Sequence, residues 1–268
     1  MPFSSNSKAV PENSHHIIER SAAVLLDWDG CIALSNQLLP GAVRFLRKFQ
    51  DRIAIVSNNS TEMPAHFAAM LNAQGCDIMP RRILLAGHET VVEAAHGGAR
   101  RILLLGNPAM HRHASDMGLK PVENDPEMVL LMRDTCFSYD RLQRALHAVQ
   151  DGAPMLVANC DRTHPGLSGR PVPETGALLA ALQACDPDLS FRIVGKPSPH
   201  LYRRACHELG VAMERAVMIG DNPETDMAGA QRLGMAALLL GPGGHLPVLD
   251  VRAPAQHRRA VAPLIRSV

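Results

Sequence analysis

The chain has 268 residues, with 27 Lys and Arg against 26 Asp and Glu; this net charge of +1, with no apolar run of membrane-spanning length, makes no case for a nucleic-acid or membrane partner. Hydrophobic residues make up 46% and aromatics only 3%, so aliphatic side chains must fill a core large enough for one large domain or two small ones. The six cysteines are scattered without a C-x-x-C pair, which argues against a zinc site or disulfide framework and for a reducing, cytoplasmic setting.

The first 20 residues are polar and lack a charged start followed by an apolar core, so they read as a flexible tail, with room for helix over 16–20, rather than as a signal peptide. The run from Ala22 to Asp27 reads as a buried strand, broken by Gly30. Val43, Leu46 and Phe49 recur at helical spacing, predicting a helix over 41–50, and 53–56 is a strand. A helix over 61–72 abuts the Ser57-Asn58-Asn59-Ser60 loop; Ser60 or Thr61 can cap it, and Pro64 suits its first turn. A strand over 83–86 and a helix through Val91, Val92 and Ala95 lead to a break at Gly97-Gly98. The alternation restarts with strand 102–105, helix 108–117, strand 128–132, helix 139–150 and strand 155–158. A Gly/Pro-rich loop fills 159–173, followed by helix 174–184, strand 191–194, helix 198–209, strand 216–219, helix 224–233 and strand 236–240. Such alternation implies a parallel sheet with helices on both faces.

Four of these apolar segments end in residues with chemistry. AAVLLDWDG ends in Asp27 and Asp29, two apart and so on one face of an extended chain. They sit where a strand meets a loop, the place where open α/β sheets put their ligands. A divalent cation or a phosphate can engage one carboxylate while the other handles a proton. RIAIVSNNS ends in Ser57, Asn58 and Asn59, whose hydroxyl and amide groups precede a helix N-terminus, a natural anion site. RIVGKPS delivers Lys196, and RAVMIGDNPETD delivers Asp221 with Asp226 further on. Four strand ends converging on one rim would bring together carboxylates, a lysine and hydroxyl or amide donors.

This ordered set resembles the haloacid dehalogenase superfamily of phosphohydrolases. More narrowly it resembles the branch with a large α/β cap: NagD-type nucleotide phosphatases, p-nitrophenylphosphatases, phosphoglycolate phosphatase and pyridoxal phosphatase. The narrower match rests on LLPGAVRFL (38–46), SNNST (57–61), ANCDRTHPGLSGRPVPETGALLAAL (158–182), GKPSPHLY (195–202) and GDNPETDMAGA (220–230). The resemblance implies an α/β fold: a Rossmann-like, doubly wound parallel-sheet core from 21–98 and 173–262, with an inserted α/β cap of the C2 type over 99–172.

It also implies a Mg²⁺-dependent phosphomonoester hydrolase acting on a small phosphorylated metabolite, such as a sugar phosphate, a nucleotide or a phosphoglycolate-like ester. In that frame Asp27 is the nucleophile that forms an aspartyl-phosphate, and Asp29 is the general acid/base. Lys196 neutralises charge, and Ser57, Asn58 and Asn59 bind the phosphate. Asp27, Asp221 and the backbone carbonyl of Asp29 hold Mg²⁺, while Asp226 either reaches the metal through water or orients Lys196. The cap loop Asn159-Cys160-Asp161 faces the site; it is polar without an aromatic, which favours sugar or polyol phosphates or phosphoglycolate over a flat ring. A homodimer through the cap follows by analogy. A phosphotransferase or mutase using the same intermediate, or a silent metabolite-binding regulator on the same scaffold, are the alternatives; Asp29 speaks against a dehalogenase. Two positions depart from the family pattern. Cys31 stands where Thr or Val is usual, as a small packing residue or an oxidation-sensitive thiol. Asn222 replaces a frequent Arg, and Glu224 is expected to serve the N-terminus of helix 224–233.

Overall fold

The computed structural model describes residues 13–34, 37–165, 170–246 and 249. Helix α1 (Asn13–Arg20) leads into β1 (Ala23–Leu26), a small hairpin of β2 (Ala33–Leu34) and β3 (Gln37–Leu38), then α2 (Pro40–Phe49), β4 (Ile53–Ser57), α3 (Pro64–Ala73), β5 (Ile83–Leu85) and α4 (Ala86–His96). The middle of the chain forms β6 (Arg101–Leu105), α5 (Pro108–Asp116), β7 (Lys120–Pro121), β8 (Met128–Leu131), α6 (Tyr139–Gln150) and β9 (Met155–Val157). A second hairpin, β10 (Thr163–Pro165) and β11 (Pro171–Pro173), precedes α7 (Thr175–Cys185) and β12 (Arg192–Ile193). Helix α8 (Pro199–Leu209), β13 (Ala216–Gly220), a π-helical turn Pro223–Met227 continuing into α9 (Ala228–Arg232), and β14 (Ala236–Leu239) complete the described elements.

Two five-stranded sheets organise the molecule, in the orders β14-β13-β1-β4-β5 and β12-β9-β8-β6-β7. Every neighbouring pair in both is parallel. Alternate side chains of a strand face opposite ways, and the strand interiors are apolar on both faces, as a sheet covered by helices requires. In the first sheet Val24, Leu26, Ile53, Ile55, Val217 and Ile219 pack on one side with Ile18 of α1, Phe45 and Leu46 of α2, and Phe67 and Leu71 of α3. Ala23, Leu25, Ala54, Val56 and Met218 pack on the other with Val91 and Ala94 of α4 and Leu201, Tyr202 and Ala205 of α8. The same cluster takes in Ile102, Leu104, Leu130 and Leu156 from one face of the second sheet. The opposite face of that sheet, Leu103, Leu105, Val129, Leu131 and Val157, is covered by Ala145 of α6 and by Leu179 and Leu182 of α7. Helix α4 thus lies between the two sheets, within one shared core.

Four expectations change here. Residues 13–20 form a helix anchored by buried Ile18, by Ser14 Oγ donating to the His245 carbonyl at 3.2 Å, and by a 2.6 Å Lys48–Glu19 ion pair. The rest of the expected tail, and residues 250–262 of the expected core, lie outside the described residues. Helix α3 starts at Pro64 with Met63 at its N-cap, not at Ser60 or Thr61, because the Asn59 Oδ1 accepts from the Thr61 and Glu62 amides at 3.0 and 2.9 Å and holds those residues in a turn. The 159–173 loop contains the β10–β11 hairpin. Finally, β12 pairs with β9, and α7 packs on the second sheet, so that sheet's unit runs to Ile193, beyond the expected division at 172/173. No helix among the described residues is long and apolar enough to cross a membrane.

Candidate active site

The register of the first sheet brings three strand ends together. β1 lies between β13 and β4, and the Asp27 amide donates to the Ile219 carbonyl at 3.0 Å. Asp27 therefore leaves β1 beside Gly220 and Asp221, with Ser57 ending the neighbouring strand. Trp28 turns the other way into the core, meeting Phe67 edge to face at 4.1 Å between ring centroids. Gly30 has φ +76°, and a Cβ there would lie 2.1 Å from the Asp221 Oδ2, so the turn after Asp29 admits only glycine.

Lys196 arrives from elsewhere. The chain runs past β12 in the second sheet, with the Val194 and Gly195 amides donating to the Val157 and Ala158 carbonyls at 3.0 and 2.8 Å, and then crosses into the first sheet's rim. The four ends meet at one rim, three from the first sheet, while the lysine comes off the second sheet's edge strand. Its Nζ donates to the Asp27 Oδ1 at 2.5 Å and to the Asp226 Oδ1 at 2.7 Å, with all three side chains buried. The Asp226 Oδ2 accepts from the Asn222 amide at 3.1 Å. Asp226 thus bonds Lys196, and its oxygens also lie close enough to those of Asp27 and Asp221 to share a cation with them.

The phosphate-loop residues divide. Ser57 is buried, and its Oγ accepts from the Asn59 amide at 3.1 Å, leaving its hydroxyl proton free to donate. The Asn58 side chain is fully committed. Its Nδ2 donates to the Asp161 Oδ2 at 3.0 Å and the Lys196 carbonyl at 3.1 Å, and its Oδ1 accepts from the Lys196 amide at 2.7 Å. The Asn59 side-chain oxygen is spent on the turn before α3. The hydrogen bonds of both asparagine side chains thus build the loop, which leaves the hydroxyl and backbone N–H groups as the donors expected for the phosphate. In the cap loop, Asn159 is likewise structural, donating to the Asn58 carbonyl at 2.8 Å and accepting from the Asp161 amide at 3.1 Å. Cys160 is half-buried, and Asp161 alone of the three sends a charged group to Asn58.

Electrostatically the site is short of positive charge. Oxygens of Asp27, Asp221 and Asp226 lie within 4.8 Å of one another, with Lys196 the one cation bonded to them among the described residues. Burial pushes the Asp27 carboxyl well above its ordinary value, Lys196 opposing and Asp226 and Asp221 adding to the rise. Asp221 is raised by burial and by Asp226. Burial works against the Lys196 ammonium, but Asp226 and Asp27 outweigh it and hold the lysine well above its usual range. Asp29, at the solvent-facing mouth, is raised by its partial burial, with His164 and Lys196 opposing. An excess of buried carboxylate over ammonium, offered entirely through oxygen, is the donor set a hard divalent cation fits.

Two family sequence profiles match the chain: one described as haloacid dehalogenase-like hydrolase over residues 24–120, and one described as HAD-hydrolase-like over 193–267. Chronophin of Mus musculus is 30% identical over 244 residues, which span 83% of this chain and 82% of that protein. The chain belongs to the haloacid dehalogenase-like hydrolases. A second relative of this hydrolase is the dihydroxyacetone phosphatase of Corynebacterium glutamicum, 29% identical over 226 residues, 82% of this chain and 80% of that protein. Among solved structures it matches a glycerol phosphate phosphatase from Mycobacterium tuberculosis in complex with magnesium, at TM-score 0.74 and 27% identity, over 84% of this chain and 69% of that one. These likenesses set it in the NagD-like phosphatase branch, whose members have been solved with a divalent metal.

Several residues of this hydrolase's site went unread in the sequence. Tyr202, buried on α8, donates to the Thr225 carbonyl at 2.9 Å and braces the turn that carries Asp226. Asn222, the departure from the usual Arg, caps that turn, its Oδ1 accepting from the Glu224 amide at 2.9 Å. Glu174 at the start of α7 faces the Nδ1 of His164 at 2.8 Å and the Nη1 of Arg133 at 3.6 Å. Cys31 is fully buried, and burial together with the nearby carboxylates raises its thiol well above its ordinary value. Burial and a raised thiol both favour the packing role over the oxidation-sensitive one.

Proposed function

We propose that this chain is a Mg²⁺-dependent phosphomonoester hydrolase acting on a small phosphorylated metabolite through an aspartyl-phosphate on Asp27. The observation that carries the reading is the buried Lys196 bonded to both Asp27 and Asp226, beside Asp221, at the carboxyl end of the first sheet. Catalysis of phosphoryl transfer is largely positioning and charge stabilisation, and this cluster offers both. An Asp27 oxygen attacks phosphorus and forms an O–P bond. The bond from phosphorus to the leaving oxygen breaks, and protonated Asp29 gives that oxygen its proton. Asp29, now a carboxylate, takes a proton from water; the water oxygen bonds to phosphorus and the acyl-phosphate bond to Asp27 breaks. Asp29's raised carboxyl, open to the mouth, suits it to both transfers. Lys196 holds Asp27 in place and offsets charge on the transferring group. The Ser57 hydroxyl and the backbone amide of Asn58 are the donors offered to the phosphate, the Asn59 amide being held by the Ser57 Oγ. Mg²⁺ held by Asp27, Asp221 and the Asp29 backbone carbonyl would supply the missing positive charge, with Asp226 acting through Lys196.

The test is phosphate release from a panel of phosphomonoesters with Mg²⁺ and with chelator, for wild type and Asp27→Asn. Turnover that needs the metal and falls roughly 10³-fold or more in the variant is expected. Folded wild-type protein that releases no phosphate from any ester, or an undiminished Asp27→Asn, overturns the reading.

A further inference from the structure

We propose that the groove between α8 and the end of α9 is a second ligand site, away from the reacting centre, that takes a small anion carrying more than one phosphate group. Two cavities of about 710 and 450 Å³ meet there, sharing Ser198, Pro199 and Arg203. Both have the size of small-molecule sites, and none of Asp27, Asp29, Ser57, Lys196, Asp221 and Asp226 lines either. The sequence builds the groove from two helices. Pro199, Arg203 and His207 recur every fourth residue of α8 and so lie along one side of it. Gly229 lets α9 come close against that helix, since a Cβ there would fall 2.4 Å from the Tyr202 hydroxyl oxygen. The approach brings Arg232, at the end of α9, into the lining of the smaller cavity together with Arg203. Arg192, from β12, and Arg204 line the larger one.

The charge of this lining selects an anion. Four arginines line the two cavities, and Glu93 is the one carboxylate among their lining residues. Glu93 accepts from the Arg192 Nη2 at 2.9 Å and faces the His200 Nδ1 at 3.6 Å. Arg204 is met by Glu89 and Glu208 at 3.5 and 3.4 Å. Arg203 and Arg232 are exposed and have no hydrogen bond or ion pair among the described residues. Two unpaired guanidinium groups in one cavity lining repel each other, and an anion they share replaces that cost with charge-assisted hydrogen bonds. The planar fork of arginine matches phosphate oxygens. The Ser198 hydroxyl, which caps no amide of α8, adds an uncharged donor where the two cavities meet. No Phe, Tyr or Trp lines either cavity, so phosphate groups rather than a flat ring carry the recognition. The cations are divided between two joined cavities, which is why the ligand needs more than one phosphate group.

The experiment is calorimetric titration of the full chain with tripolyphosphate at low salt. Chelator is present, so that no metal draws the anion to the carboxylates of the reacting centre. A Kd of about 0.1 mM or tighter is expected, as two or three charge-assisted pairs would give. Inorganic phosphate should bind about tenfold more weakly, and ATP no more tightly than tripolyphosphate. Arg203→Ala and Arg232→Ala should each weaken tripolyphosphate binding about tenfold. Both replace exposed side chains, so each variant should melt within about 2 °C of wild type and turn over p-nitrophenyl phosphate with Mg²⁺ within about twofold of it. A Kd weaker than about 1 mM, equal affinity for inorganic phosphate, an ATP affinity tenfold above that for tripolyphosphate, or binding that neither variant weakens overturns the inference and leaves the phosphatase reading untouched. So does a loss of turnover that tracks the loss of binding, because the anion would then lie at the reacting centre.

Discussion

Replacing Asn58 with alanine separates a structural role from a phosphate-binding one. The side chain makes three hydrogen bonds: one to the Asp161 carboxylate, one to the Lys196 carbonyl, and one from the Lys196 amide. Taking about 1 kcal/mol for each neutral bond and about 2 for the one to a charged group, the variant should lose roughly 4 kcal/mol. For a chain of this size that corresponds to a fall in melting temperature of about 8 °C. Lys196 and Asp161 both loosen, so kcat should fall about 10–100-fold through misplacement of the lysine, with KM changing less. Asn58→Asp should melt at least as low, because it removes the donor and sets a second carboxylate against that of Asp161. Calorimetry or dye-based melting, read beside steady-state kinetics, decides the matter. A melting temperature within about 2 °C of wild type, combined with a raised KM and an unchanged kcat, would refute the reasoning and return Asn58 to the phosphate.

Two further outcomes follow from buried groups away from the chemistry. His113 is held down to about 4, chiefly by burial and then by His88 stacked at 4.4 Å, with Asp116 and Glu89 opposing. Its neutral form is the one the fold prefers, so its contribution is full above the unfolded value near 6.5 and is lost as pH falls towards 4, by at most about 3 kcal/mol. Melting temperature measured between pH 7 and 4 should show that loss, and His113→Phe should flatten it; parallel profiles would count against the assignment. For Cys31, activity should survive millimolar peroxide, and the thiol should react with a disulfide reagent only on unfolding. Rapid modification of the native protein at Cys31 would contradict its burial.

The parts of the fold legible from the sequence are those where one physical signal dominates. Strands such as Val24 to Leu26 and Ile53 to Val56 are apolar on both faces and end abruptly in polar residues, so their existence and their chemistry-bearing ends read directly. Helix α6, capped by Ser138 and apolar along one side, falls over the expected residues. What was not legible depends on tertiary partners. Strands β10 and β11 contain Pro165, Pro171 and Pro173, so their composition speaks for a loop although they pair. Strand β12 is two residues long and shows its membership only by pairing with β9. Helix α1 has too little apolar surface to stand alone and is held by what it packs against. In the site, the carboxylates and the lysine stood out because such groups at strand ends must be partnered or used. The asparagines did not reveal their direction, since an amide serves a backbone or a ligand equally well.

The route of the chain around Lys196 bears on how such molecules can be recombined. Gly195 sits so close to the Ala158 carbonyl and the Asn58 Oδ1 that a Cβ would fall 2.4 and 2.6 Å from them, so the strap entering the site is moulded to both sheets at once. A chimera that exchanges the second sheet between relatives inherits its lysine geometry from whichever parent supplies residues 158 and 194–196 together with residue 58. Splicing between those segments would join a strap from one parent to a seat from the other. Grafts cut on the far side of Lys196, with residue 58 and the 158–161 loop carried along, keep the clasp whole; specificity could then be traded as a module while the reacting centre is left undisturbed.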